Sequence, residues 1–119
     1  VSDPKYNVDM FIGIGGGPEG VLAACALDAY DCHFQGRFIF DNEKDINEAK
    51  SMGITDLKKK YELNEIVKGD SLFCASGITS SEVLNGIIID GDKFISETLV
   101  THKDSNFKQI IKSINSINE

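Results

Sequence analysis

The fold class that this sequence predicts is α/β, a mixed β-sheet packed with helices, and three observations lead to it. Short apolar runs of strand length alternate with helical stretches through the first half of the chain. Glycine and proline punctuate the junctions between them, as at Gly15-Gly16-Gly17-Pro18. A hairpin signal, Asp90-Gly91-Asp92 between two β-branched runs, marks the second half. The 119 residues form one domain, 1–119, with no internal repeat, low-complexity stretch or linker.

Taken in order, residues 8–14 (V-D-M-F-I-G-I) read as a strand ending in the glycine turn. Pro18 then opens a helix, because its missing N–H would be unpaired there in any case. Residues 21–29 are apolar almost all round, so this helix is expected to be buried rather than half exposed. Residues 37–40 read as a second strand. Asp41 or Asn42 caps an amphipathic helix through Met52, with Gly53 as its stop. A helical turn is expected at residues 63–67 and a third strand at 72–75. Thr79-x-x-Glu82 has the capping-box spacing of another short helix. Residues 87–89 and 94–101 form the hairpin. In the tail, Phe107, Ile110, Ile111, Ile114 and Ile117 have helical spacing but sit among β-branched residues, and a strand is expected near its start.

Composition narrows the function. Hydrophobic and charged contents of 41% and 26% are ordinary for a soluble protein. The net charge of −7 argues against nucleic acid, which recruits basic stripes. It would also repel an anionic substrate unless a cation stood between. Cys25, Cys32 and Cys74 contain no C-x-x-C pair and sit among apolar or small residues, so buried free thiols are expected. No apolar run approaches the ~18 residues that span a bilayer, and a cytoplasmic location is expected. The chain starts at Val1 rather than Met, which reads as a trimmed or proteolytic fragment.

Chemistry concentrates in Gly13-Ile14-Gly15-Gly16-Gly17-Pro18-Glu19-Gly20. A glycine turn feeding a helix start offers unpaired N–H groups and the positive end of the helix dipole to an anion. Gly15-x-Gly17-x-x-Gly20 also matches the dinucleotide fingerprint, with Asp41 about 20 residues on, where a ribose-binding acid would sit. Glu19 argues against it, since a carboxylate in the first helical turn would repel a pyrophosphate. An ionised oxygen held beside backbone donors suits a hard divalent cation with a phosphate instead. A third reading stays open, in which Glu19 only complements the helix dipole. Arg37, the sole arginine, is open between phosphate binding and a structural ion pair. Ser76-Gly77-Ile78-Thr79 borders the same cleft or merely caps a helix. Glu97 within its apolar strand stays unassigned, and His33 and His102 read as surface or packing residues.

The longer string Asp9-Met10-x-x-Gly13-Ile14-Gly15-Gly16-Gly17-Pro18-Glu19-Gly20-Val21-Leu22-Ala23-Ala24 resembles the signature of the class II fructose-1,6-bisphosphatases, usually G-I-G-G-A-P-E-G-V-x-A-A. Further matches follow in order at Gln35-Gly36-Arg37, Ala49-x-x-Met52-Gly53-Ile54, Lys68-Gly69-Asp70, Ala75-Ser76-Gly77-Ile78-Thr79 and Glu97-Thr98-Leu99-Val100. Gly17 stands where Ala is usual and Ser76 where Thr is usual. The resemblance implies the C-terminal half of a lithium-sensitive carboxylate phosphatase fold. It implies hydrolysis of the 1-phosphate of fructose 1,6-bisphosphate with Mg²⁺ or Mn²⁺, and in some members of sedoheptulose 1,7-bisphosphate. It assigns Glu19 as a metal ligand and Gly16 as a backbone contact to substrate; Gly15, Gly17 and Arg37 are expected to bind substrate beside them. It places the other metal ligands and the water-activating residue in a missing N-terminal part, so this fragment would hold no catalytic residue and would be inactive alone. A homo-oligomer is expected of the intact enzyme.

Overall fold

The computed structural model describes residues 2–117. After a 3-10 turn at Pro4–Tyr6, the elements in chain order are α1 (Gly17–Asp28), β1 (Gln35–Gly36), α2 (Glu43–Ser51), β2 (Tyr61–Glu62), α3 (Leu63–Ile66), β3 (Leu72–Ser76), β4 (Ile88–Asp90), β5 (Lys93–His102) and β6 (Phe107–Ser116). The α/β class holds, with helices in the first half and the larger sheet in the second.

Local chemistry explains the helix ends. Asn42 caps α2, its side-chain oxygen accepting from the Asp45 N–H at 2.9 Å. The helix stops where Gly53 takes φ +90, and the Gly53 and Ile54 N–H groups donate to the carbonyls of Lys50 and Ala49. That is the doubly bonded glycine stop of a Schellman motif. Glu62 and Glu65 form a reciprocal capping box at α3. α1 begins at Gly16 with no side-chain cap, a point that matters for the site.

β5 is the centre of a four-stranded sheet. One of its edges takes β3 (Ser76 opposite Thr98) and β4 (Ile88 opposite Ile95). The other takes β6 along its whole length, from Lys93 opposite Ser116 to His102 opposite Phe107. The tail is therefore a full strand, because ten residues of β5 offer it a partner and its β-branched content suits a pleated surface. The β4–β5 hairpin turns at Gly91-Asp92, with Gly91 at φ +61, as a two-residue loop with glycine first demands. Every pairing among the described residues is antiparallel, including β1 with β2, so the expected mixed sheet is not what forms.

Other expectations need correction. Residues 8–14 make no strand, and Met10, Phe11, Ile12 and Ile14 are 71–87% exposed. Residues 37–40 make none either; pairing ends at Gly36. Neither run has a strand neighbour among the described residues, and a strand exists only as part of a ladder. α1 buries Ala24 and Asp28 but leaves Val21 and Leu22 half exposed, against the expectation of burial all round. Residues 79–82 form no helix. Ser81 Oγ instead accepts from the N–H groups of Val83 and Leu84, and Ser80 Oγ from that of Gly86. Serine hydroxyls that bond nearby backbone compete with helix in this way. The cysteines are free as expected, but Cys25 and Cys32 are only half-buried and Cys74 on β3 is exposed.

The packing is open. Among the described residues the buried apolar side chains are Ala24, Ala29, Ala49 and Leu84. The radius of gyration is 18.0 Å, where a compact chain of this length has about 13–14 Å. The accessible surface is 9167 Å², against about 6,300 Å² for a compact monomer of 13.0 kDa. α1 rests on β3 and α3, and its C-terminal end is tied to the β5–β6 loop by Lys103, whose Nζ lies 2.6 Å from Asp28 Oδ1. An acid at a helix C-terminus opposes the dipole, and the Lys103 cation offsets it.

Candidate functional site

The glycine turn and the start of α1 form the site. Gly16 is the N-cap, in extended conformation, and Pro18 and Glu19 lie in the first turn. Pro18 has no N–H, and the Gly20 N–H returns to the Gly16 carbonyl at 3.0 Å. Gly17 and Glu19 are thus the first-turn residues whose N–H groups find no acceptor among the described residues. Gly15, Gly16, Gly17 and Glu19 are all exposed. The turn therefore offers bare donors and the dipole's positive end to an incoming anion.

Gly16 has a further role. The Glu19 carboxylate folds back over it, so that a Cβ at Gly16 would clash with Glu19 Oε2 and lie 3.2 Å from its Cδ. The carboxylate occupies the space that glycine leaves, directly over the turn. Any phosphate approaching the turn would meet this anion, so the arrangement favours a phosphate that arrives with a cation between the two.

Arg37 is exposed and makes no ion pair among the described residues. The neighbour that reaches the glycine turn is Phe38, whose Cε1 lies 4.0 Å from the Cβ position of Gly17. Arg37 lines a separate shallow pocket of about 190 Å³ with Gln35, Gly36 and Lys60. Lys60 was not singled out from sequence, although the run Lys58-Lys59-Lys60 was there to be seen. Asp41 is exposed just ahead of the α2 cap. The larger cavity, about 590 Å³, lies at the other end of α1 between Asp28, His33, Glu62 and Lys103 and includes none of the glycine turn.

The metal question can be put to the donors themselves. A hard divalent cation takes six or more oxygens. Among the described residues no group of three or more His, Cys, Asp or Glu stands together to hold one. Glu19 is a single carboxylate, and the chain by itself does not fit a resident cation.

Glu97 has a definite role. Its Oε2 accepts from the Asn85 N–H and its Oε1 from the Asn85 side chain, both at 2.9 Å, which pins loop 77–87 to β5. Neither an ion pair nor a free outward position describes it. Gly77 and Ser76 belong to the same structure: Gly77 is buried beneath Asn85, and Ser76 Oγ lies 2.7 Å from Thr98 Oγ1. The Asn85 side chain, then its N–H, hold the Glu97 carboxyl below its ordinary value of 4.5. The folded value lies under the unfolded one, so the anchoring is complete above about pH 4.5 and is lost as pH falls through the lowered value. Exchange protection of the Asn85 amide should therefore fall in acid. Glu97→Gln should flatten that profile, and an unchanged profile in the variant would assign the effect elsewhere.

His33 is exposed. His102 bridges Asp70 and Ser105 through its two ring nitrogens, a packing role at the end of β5. No helix among the described residues is long and apolar enough to cross a membrane.

Comparison with known proteins places the chain in a family. The family model for bacterial fructose-1,6-bisphosphatase, glpX-encoded, matches residues 1–115. Relatives named D-fructose 1,6-bisphosphatase class 2/sedoheptulose 1,7-bisphosphatase include one from Trichormus variabilis, 32% identical over 91% of this chain and 35% of its own length. One from a Synechococcus species is 34% identical over the same shares. One from Prochlorococcus marinus is 39% identical over 70% of this chain and 28% of its own length. The chain thus spans about a third of the length of the curated relatives it matches, and the dinucleotide reading gains no support from them. The chain belongs to the bacterial, glpX-encoded fructose-1,6-bisphosphatase family.

Proposed function

We propose that the intact protein, of which this chain is the C-terminal part, is a cytoplasmic, homo-oligomeric phosphatase. It removes the 1-phosphate of fructose 1,6-bisphosphate with Mg²⁺ or Mn²⁺, and sedoheptulose 1,7-bisphosphate is a second substrate. The observation that carries this reading is the uncapped glycine turn, with free N–H groups at Gly17 and Glu19 and an exposed carboxylate folded over Gly16. In the intact protein this turn forms one wall of the phosphate site, with Gly15, Gly16 and Gly17 presenting backbone to the substrate, while Arg37 and Lys60 line a pocket apart from it. Glu19 supplies one metal ligand. The remaining ligands and the group that activates water come from the N-terminal part, so this chain holds no catalytic residue. The Glu19 carboxylate over the turn and the net charge of −7 both favour a bridging cation beside an anionic sugar phosphate. The reading also places the chain within a lithium-sensitive carboxylate phosphatase fold.

Phosphate release from fructose 1,6-bisphosphate with Mn²⁺ or Mg²⁺ tests it, with the intact protein and this chain side by side. The intact protein is expected to turn over and the chain alone to stay at background. An inactive intact protein, or an active isolated chain, would sink the assignment.

A further inference from the structure

The two apolar runs that form no strand share a set of properties. Residues 8–15 and 38–41 make no backbone hydrogen bond to one another or to any other described residue. Met10, Phe11, Ile12 and Ile14 are 71%, 80%, 84% and 87% exposed, and Phe38 and Ile39 are 45% and 55% exposed. In the first run, Val8, Met10, Ile12 and Ile14 fall on one face of an extended chain, and Asp9, Phe11 and Gly13 fall on the other. One wholly apolar face is the alternation of a strand packed against a core, with Phe11 adding apolar surface on its other side. Between the runs lies α1, a crossover of the length that parallel neighbours need. Phe38 already reaches the turn at Gly17, which brings the second run beside the end of the first.

We infer that residues 8–14 and 37–40 are two strands of a β-sheet whose other strands lie in the part of the protein that the curated relatives have and this chain lacks. The inference rests on family membership and on length, not on the phosphatase reaction. About two thirds of the relatives' length lies outside the match. The surface in excess of a compact monomer, roughly 2,800 Å² on this side alone, is enough for an interface of the size that obligate partners share. Docking has a consequence for the site. The glycine turn hangs from the end of the first run, so pairing that run would immobilise Gly15, Gly16 and Gly17, and the anion cradle would be rigid only in the intact protein.

Hydrogen–deuterium exchange on the intact protein and on this chain tests the inference, with β5 as the internal reference. Amides of residues 8–14 and 38–40 are expected to exchange at least ~100-fold more slowly in the intact protein, while β5 is protected in both. Ile12→Asp provides a second reading: the melting temperature of the isolated chain is expected to stay unchanged, and that of the intact protein to fall by ~5 °C or more. Fast exchange of both runs in the intact protein would overturn the inference. So would equal protection in the isolated chain, which would point to pairing between copies. An intact protein that is active yet unprotected rejects these strands and leaves the phosphatase reading standing; one that is protected yet inactive does the reverse.

Discussion

Replacing Glu19 by alanine in the intact protein is expected to lower phosphate release from fructose 1,6-bisphosphate at least ~100-fold, because partners one shell further from a metal already cost 10–100-fold when removed. The loss should be confined to function. The Glu19 side chain is exposed and makes no ion pair or hydrogen bond among the described residues, so its removal forfeits only the favourable term between a carboxylate and the start of α1, about 0.3–1 kcal/mol. Glu19→Gln keeps the shape and removes the charge, and it should fall nearly as far as alanine. Gly16→Ala separates position from charge. Its Cβ would displace the Glu19 carboxylate, the free end of a flexible side chain, so the fold should tolerate it while activity drops. Unchanged turnover in Glu19→Ala would remove the metal-ligand role and leave Glu19 as a helix-dipole residue.

The largest effect on stability is expected at Gly77. A Cβ there would collide with the Asn85 carbonyl oxygen and lie 3.1 Å from Leu84 Cβ. The obstacle is backbone and cannot swing aside. Relief would require Asn85 to move, and Asn85 holds both hydrogen bonds to Glu97. Leu84, one of the few buried apolar side chains, would move with it. Gly77→Ala should therefore cost about 1–3 kcal/mol, the range for overpacking, read as a lower denaturant midpoint at unchanged slope. Gly20 is the control. It sits inside α1 with nothing within 4 Å of its Cβ position, and alanine there should stabilise by about 0.5–1 kcal/mol. Equal midpoints for Gly77→Ala and the parent would mean that loop 77–87 is not held as described.

The readable parts of the fold were those with short-range causes. Asn42 and Gly53 bound α2 through bonds to residues three to five positions away, and Gly91 bends the hairpin through its own φ. These signals survive in any context because their partners are adjacent in sequence. The short helix read at Thr79 failed for a reason of the same range. Two serine hydroxyls took the backbone donors first, and the capping spacing did not reveal that competition.

What the sequence determined by itself, then, is the family, the α/β class, the glycine turn ahead of a helix, and Glu19 within its first turn. Each depends on residue identity at fixed spacing. Only the tertiary structure decided which apolar runs become strands, because a strand needs a partner that periodicity does not name. It showed residues 107–116 paired along β5 and residues 8–14 paired with no other described residue. It also decided the position of Glu97, whose carboxylate holds a loop twelve residues upstream, and of Arg37, whose pocket lies apart from the glycine turn. Those placements follow from how separate segments meet in space, and in this chain much of the apolar surface has nothing to meet.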